Sequence, residues 1–268
     1  MRQFLILAFM LVALGAEAFR VDSAKVATRY LATPEDITVI IPDAAAKGKR
    51  VPTVYVLNGF GGDHKTWISK VPAIGEMADR YEVVLVMPDG RDSWYWDSPV
   101  DPGMQMESFF ANDLVPYVDA HYPTLPQRES RAITGLSMGG HGALWLAMNH
   151  PELWCAVGSM SGGVDIRPFP KSWKMEQRLG NARDADPALW ESHTVAANID
   201  KLKDANLAIT VECGADDFFA DVNNALHDAL LKEGIAHDYT SRPGKHTWEY
   251  WANALPYHLL YFNSKMTR

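Results

Sequence analysis

Apolar runs and amphipathic stretches alternate along most of the chain. Residues 51–57 and 82–88 are near-continuous apolar or β-branched runs. Such runs fit strands buried on both faces, as in a parallel sheet covered by helices. Shorter runs at 130–134, 154–162, 207–212 and 236–241 read as further strands. Helical spacing predicts helices over 67–80, over 106–121, over 142–148, over 222–234 and from Thr247 onward. In the second of these, Met106, Phe109, Phe110, Leu114, Tyr117, Val118 and His121 recur on one face. Residues 19–46 read as two strands, 20–30 and 36–42, joined by a turn at Thr33-Pro34-Glu35, an antiparallel start on one sheet edge. Alternating strand and helix with buried strands predicts an α/β fold with a mostly parallel central sheet.

The rhythm breaks at 163–198, which is rich in Pro, Asp, Trp and Arg. Connections in compact domains usually run to about 4–6 residues. This segment is expected to form a small lid or pocket wall, the alternative being an irregular surface excursion.

The first residues differ from the rest. Arg2 gives a short positive start, residues 4–15 are an apolar run, and Ala16-Glu17-Ala18 is a small-x-small site. This pattern predicts a secretory signal peptide over 1–18, cut after Ala18. The run falls short of the ~20 residues a spanning helix needs. The expected mature part, 19–268, is one catalytic domain, exported to the periplasm or medium, with no membrane association after cleavage. The 268 residues are 47% hydrophobic and 22% charged, which suits one domain with a large core. The net charge of −8 is unchanged by losing Arg2 and Glu17 together. An acidic chain without a basic stripe is not built for nucleic acid. The two cysteines, Cys155 and Cys213, open one predicted strand and close the next, so parallel strands would separate them. Two free, buried thiols are expected, and neither cysteine has zinc-site spacing.

In open α/β sheets the chemistry lies beyond the carboxyl ends of the strands. After the strand at 130–134 comes Gly135-Leu136-Ser137-Met138-Gly139-Gly140. A serine within G-x-S-x-G, between a strand and a helix, reads as a nucleophile elbow. Serine needs a base to take its proton. Of nine histidines, His246 alone follows the last strand and directly precedes the last helix. The acid should follow the strand before that, where Asp216 and Asp217 both stand. Asp217 is preferred, because a Gly-x-x-Asp turn aims its carboxylate toward the histidine loop. The order Ser…Asp…His is that of α/β-hydrolases. Two N–H donors are expected for the oxyanion: Met138, after the nucleophile, and Phe60, in the loop after residue 57, with Gly61 as the alternative. Trp94, Tyr95 and Trp96 lie in a loop of the same rim. They read equally as faces for a sugar or phenolic group and as packing anchors.

Four stretches carry a resemblance: Leu57-Asn58-Gly59-Phe60-Gly61-Gly62-Asp63-His64, Gly135–Gly140, Cys213-Gly214-Ala215-Asp216-Asp217 and Pro243-Gly244-Lys245-His246-Thr247-Trp248. Together they resemble the esterase D-like branch of the α/β-hydrolases, which holds S-formylglutathione hydrolases, tributyrin-type esterases, feruloyl and acetyl-xylan esterases and mycolyltransferase relatives. The resemblance implies an α/β-hydrolase fold with helices on both faces of the sheet. It implies ester hydrolysis with Ser137, Asp217 and His246 as triad, Phe60 and Met138 as oxyanion donors, and no cofactor or metal. Asn58 departs from it, since relatives usually carry His there. The expected substrate is an acetyl, feruloyl or short-chain acyl ester of a small molecule or oligosaccharide. The alternatives are an acyltransferase with the same triad, a thioesterase like S-formylglutathione hydrolase and, last, a non-catalytic carbohydrate-binding protein.

Overall fold

The structure, a computed structural model, describes residues 19–268. The expected signal peptide lies outside the described residues. Eight strands form one sheet: β1 (Arg20–Val26), β2 (Glu35–Ile41), β3 (Thr53–Leu57), β4 (Val84–Pro88), β5 (Arg131–Leu136), β6 (Ala156–Met160), β7 (Ala208–Gly214) and β8 (Asp238–Arg242). Their spatial order is β1-β2-β4-β3-β5-β6-β7-β8. The pairs β1–β2 and β2–β4 are antiparallel and every other pair is parallel. The predicted antiparallel edge and parallel centre are both present.

Side chains alternate across the sheet, so the central strands feed two cores. On β3, Tyr55 and Leu57 join the larger core, with Phe109, Phe110, Leu144 and Trp154. Val54 and Val56 join the other, beneath Trp67, Trp251 and Leu255. Helices therefore cover both faces, and the fold is that of the α/β-hydrolases.

The predicted helix over 67–80 is two helices, Thr66–Lys70 and Ile74–Tyr81. Pro72 divides them: the residue before a proline is pushed out of the helical region, and Val71 has φ −126° and ψ 78°. The helix predicted over 106–121 is continuous but irregular. Met106–Phe109 passes into a π-helical turn, Phe110–Leu114, before Val115–His121. Pro116 sits at the start of the last part and has no N–H to give to the turn before it. The helix expected at 142 begins at Met138 and runs to Asn149. Cys155 lies just before β6 and Cys213 near the end of the parallel β7, and both are free; Cys213 is buried, whereas Cys155, expected to be buried too, is partly exposed because it precedes the covered span of its strand. Among the described residues no helix is long and apolar enough to cross a membrane.

Candidate active site

β5 ends at Leu136, and the helix Met138–Asn149 starts after a single intervening residue. Ser137 bridges them with φ 55° and ψ −118°, a backbone that non-glycine residues rarely adopt. The turn is tight enough to exclude side chains at two positions. A Cβ on Gly135 would lie 2.4 Å from the Gly139 carbonyl oxygen, and one on Gly139 would lie 2.6 Å from the Asn58 carbonyl oxygen. These glycines let the helix start press against β3, and that contact holds the serine up at the strand end.

The loops after β7 and β8 are joined by backbone. Ala215 N–H donates to the Arg242 carbonyl (2.8 Å), and Asp216 N–H donates to the Gly244 carbonyl (2.9 Å). This pairing brings the acid and histidine loops together. His246 Nδ1 lies 3.0 and 2.9 Å from the two carboxylate oxygens of Asp217. Its Nε2 lies 2.9 Å from Ser137 Oγ. A carboxylate only accepts, so the proton sits on Nδ1, and Nε2 presents a lone pair to the serine hydroxyl. Asp217 has no exposed side-chain surface, and Phe219 N–H donates to its Oδ1 at 2.8 Å. Asp216 is exposed and offers the histidine loop only its amide. Of the two acids left open by the sequence, Asp217 is the one in contact with His246.

Phe60 and Ser137 line one cavity of about 580 Å³, with His246, Trp173, Phe218 and Trp248 also on its walls. Gly62 N–H donates to the Gly59 carbonyl (3.0 Å), which closes a turn with Phe60 and Gly61 at its centre. Gly61 has φ +78°, as a type II turn requires at that position. Among the described residues Phe60 N–H donates to no backbone acceptor. Met138 is the first residue of its helix, so its N–H has no intrahelical acceptor either. Among the described residues no group of three or more His, Cys, Asp or Glu side chains is placed to hold a metal ion.

Comparison with known proteins shows the family of the chain. Residues 29–262 match the family described as putative esterase. The chain belongs to this esterase family. It is 27% identical over 214 residues to an acetyl esterase of Caldicellulosiruptor saccharolyticus, spanning 76% of this chain and 80% of that one. It is 27% identical over 230 residues to an S-formylglutathione hydrolase of Paracoccus denitrificans, spanning 78% and 77%. A solved ferulic acid esterase superposes with a TM-score of 0.78 at 27% identity, over 93% of this chain and 99% of that one. The chain is thus a serine esterase of α/β-hydrolase fold.

In this esterase the aromatic loop is interior. Trp94, Tyr95 and Trp96 are at most 1% exposed, so the packing reading holds and they offer no free face to a ligand. Tyr95 lies under the loop that follows β3. Trp94 and Trp96 stack on each other at 5.6 Å and meet His141 edge-on. His141 stands one helical turn beyond Ser137 and is fully buried. Trp96 Nε1–H donates to its Nε2 (2.9 Å), so its proton is on Nδ1 and is given to the Gly163 carbonyl (3.1 Å). Burial holds its pKa down to about 3, so the ring stays neutral. His141 therefore ties the aromatic loop to the start of the 163–198 segment. Spacing gave no signal for this tie, because its partners are distant in sequence.

Proposed function

We propose that this esterase works through an acyl-enzyme on Ser137, with His246 as base and then acid, Asp217 as its orienting anion, and the amides of Phe60 and Met138 as oxyanion donors. The observation that carries the reading is the unbroken chain Ser137 Oγ, His246, Asp217, with contacts of 2.9–3.0 Å. Ser137 attacks the ester carbonyl as His246 Nε2 takes its proton. The carbonyl oxygen becomes an anion held by the two amides, each contributing on the order of 3 kcal/mol to the transition state. The protonated imidazole gives its proton to the leaving alcohol, and the buried Asp217 carboxylate stabilises the charged ring meanwhile. Water then enters by the same route and releases the acid.

The substrate class we propose is an acetyl, feruloyl or short-chain acyl ester of carbohydrate, met outside the cytoplasm after removal of residues 1–18. The likeness to acetyl esterase and ferulic acid esterase supports it, as do the aromatic walls of the cavity around Ser137. Purified protein should release acetate or ferulate from xylan fragments, and a fluorophosphonate should label Ser137. A labelled enzyme that cleaves thioesters but no carbohydrate ester would favour the second reading, a thioesterase, to which the Paracoccus relative points. Absence of labelling, or full activity in Ser137→Ala, would overturn the mechanism itself.

A further inference from the structure

Trp173 is the one residue of the 163–198 segment on the wall of the Ser137 cavity. Its ring lies 5.9 Å from that of Phe218 and nearly parallel to it, at 19°. Phe218 in turn lies 4.2 Å from the ring of His246. Any substrate group larger than acetyl that leaves the reacting carbon along this wall meets the Trp173–Phe218 pair.

Trp173 is held there against its backbone preference. Trp173 and Lys174 have φ of 48° and 57°, both in the left-handed region, and neither is glycine. Consecutive residues persist in that region only when their surroundings over-determine it. The surroundings come from the loop after β4. Asp92 accepts from Lys174 Nζ (2.9 Å) through one carboxylate oxygen and lies 3.0 Å from Arg178 Nη2 through the other. Its side chain is 17% exposed, as is that of Arg178. Trp94 Nε1–H donates to the Trp173 carbonyl (3.2 Å), and Ser98 Oγ–H donates to the Arg178 carbonyl (2.6 Å). One carboxylate thus bridges two cations of the strained stretch and fastens it to a loop packed in the core.

We propose that Asp92 is a positioning residue. By bridging Lys174 and Arg178 it fixes the turn at Trp173 and so sets which ring-bearing esters the site accepts. The proposal rests on the reading of Ser137 as nucleophile, but its test separates the two. Asp92 touches none of the reacting groups, and an ester too small to reach Trp173 is indifferent to it.

The test compares ethyl acetate, which bears no ring, with 4-nitrophenyl acetate and ethyl ferulate, which carry a ring on opposite sides of the ester. Asp92→Asn should lower kcat/KM by about ten-fold or more, mainly through KM, for at least one ring-bearing ester. Ethyl acetate should stay within about two-fold of the parent, and Asp92→Glu should recover most of the loss. Trp173→Ala should show the same selective loss, and adding Asp92→Asn to it should cost nothing further, since a residue acting only through Trp173 has no effect once that ring is gone. A parallel loss on all three esters, no selective loss, or additive effects in the double variant would each overturn the proposal. Should Asp92→Asn fail to fold, Lys174→Met cuts the bridge from its exposed end and must give the same selective loss in milder form. Ser137→Ala on ethyl acetate tests the underlying mechanism alone, whatever Asp92 does.

Discussion

The Tyr95 hydroxyl lies 3.1 Å from both the backbone carbonyl and the side-chain Oδ1 of Asn58. Asn58 is fully buried at the end of β3. Its Oδ1 also accepts from Gly90 N–H (2.8 Å), and its Nδ2 donates to the Gly59 carbonyl (3.0 Å). The loop that carries Phe60 is thus pinned from the ends of two neighbouring strands, and asparagine serves here without the histidine of the relatives. Tyr95→Phe should lower stability by about 1–2 kcal/mol, the cost of one buried hydrogen bond. It should lower kcat several-fold with KM little changed, because a loosened donor is felt most in the transition state. Asn58→Leu strands the Gly90 amide and leaves the Tyr95 hydroxyl only the backbone carbonyl of residue 58, and should cost more on both counts. Thermal melts and steady-state kinetics on 4-nitrophenyl acetate check this; a Tyr95→Phe enzyme with lower stability and unchanged kcat would detach the loop from Tyr95.

The two adjacent acids are expected to behave oppositely. Asp217 Oδ2 lies 2.9 Å from His246 Nδ1 with its carboxylate buried, whereas the side chain of Asp216 faces solvent. Asp217→Asn should lower kcat by about 10⁴-fold, since an amide can donate to Nδ1 and so favours the wrong tautomer. Asp216→Asn should stay within about two-fold, because its amide, which it keeps, makes the contact to Gly244. Equal losses in the two variants would undo the assignment of the acid.

The sheet was legible because its central strands are buried on both faces and read as unbroken apolar runs, as at 51–57. The order of Ser137, Asp217 and His246 along the chain was legible because each follows a strand. The start of the helix after Ser137 was not. Gly139 and Gly140 look like loop residues by propensity, yet both are helical, ahead of the expected start at Gly142. A Cβ at Gly142 would lie 2.1 Å from the Tyr95 ring, and one at Gly140 would lie 2.8 Å from Ser159 Oγ. These glycines answer to tertiary contact, which local pattern does not carry. The break at Pro72 was readable in principle, since a proline inside a helical pattern ends it. The side of the aromatic loop that would face ligand stayed open for a different reason: Trp94 and Trp96 are placed by His141 and Trp173, which lie far away in sequence.

Gly139 gives a sharp test of the elbow. Its Cβ would meet the carbonyls of Asn58 and Leu57 at 2.6 and 2.7 Å. Both are backbone atoms of the β3 end and cannot rotate away, so the helix start must move. Gly139→Ala should cost about 1–3 kcal/mol in stability, as overpacking does. It should lower kcat further than that loss explains, because the shift carries Ser137 and the Met138 amide with it. Gly61 has no neighbour within 4 Å of an added Cβ, so Gly61→Ala tests only its positive φ and should be milder in stability. Activity at a temperature where both variants are fully folded separates the two effects; a folded Gly139→Ala enzyme with parental kcat would refute the packing account of the elbow.

The two buried histidines, His141 and His258, should each cost stability as the pH is lowered through the histidine range, and His258 offers the test. His258 is 1% exposed, with its Nδ1 2.8 Å from Thr134 Oγ1. Burial, with the Arg242 charge as a smaller cause, holds its pKa down to about 3. His141 is held equally low by burial. In the unfolded chain both rings titrate near about 6.5. Between that value and about 3 the unfolded state therefore binds protons that the folded state refuses, and folding loses free energy as the pH falls. Above about pH 7 both states are neutral at these rings and the contribution is flat. The slope is at most about 1.4 kcal/mol per pH unit for each ring. His258→Gln should lower the melting temperature at pH 8, since it disturbs a packed site, yet lose less stability than the parent between pH 7 and pH 5. Urea unfolding at the two pH values measures the difference directly; parallel losses in parent and variant would show that His258 does not titrate with unfolding.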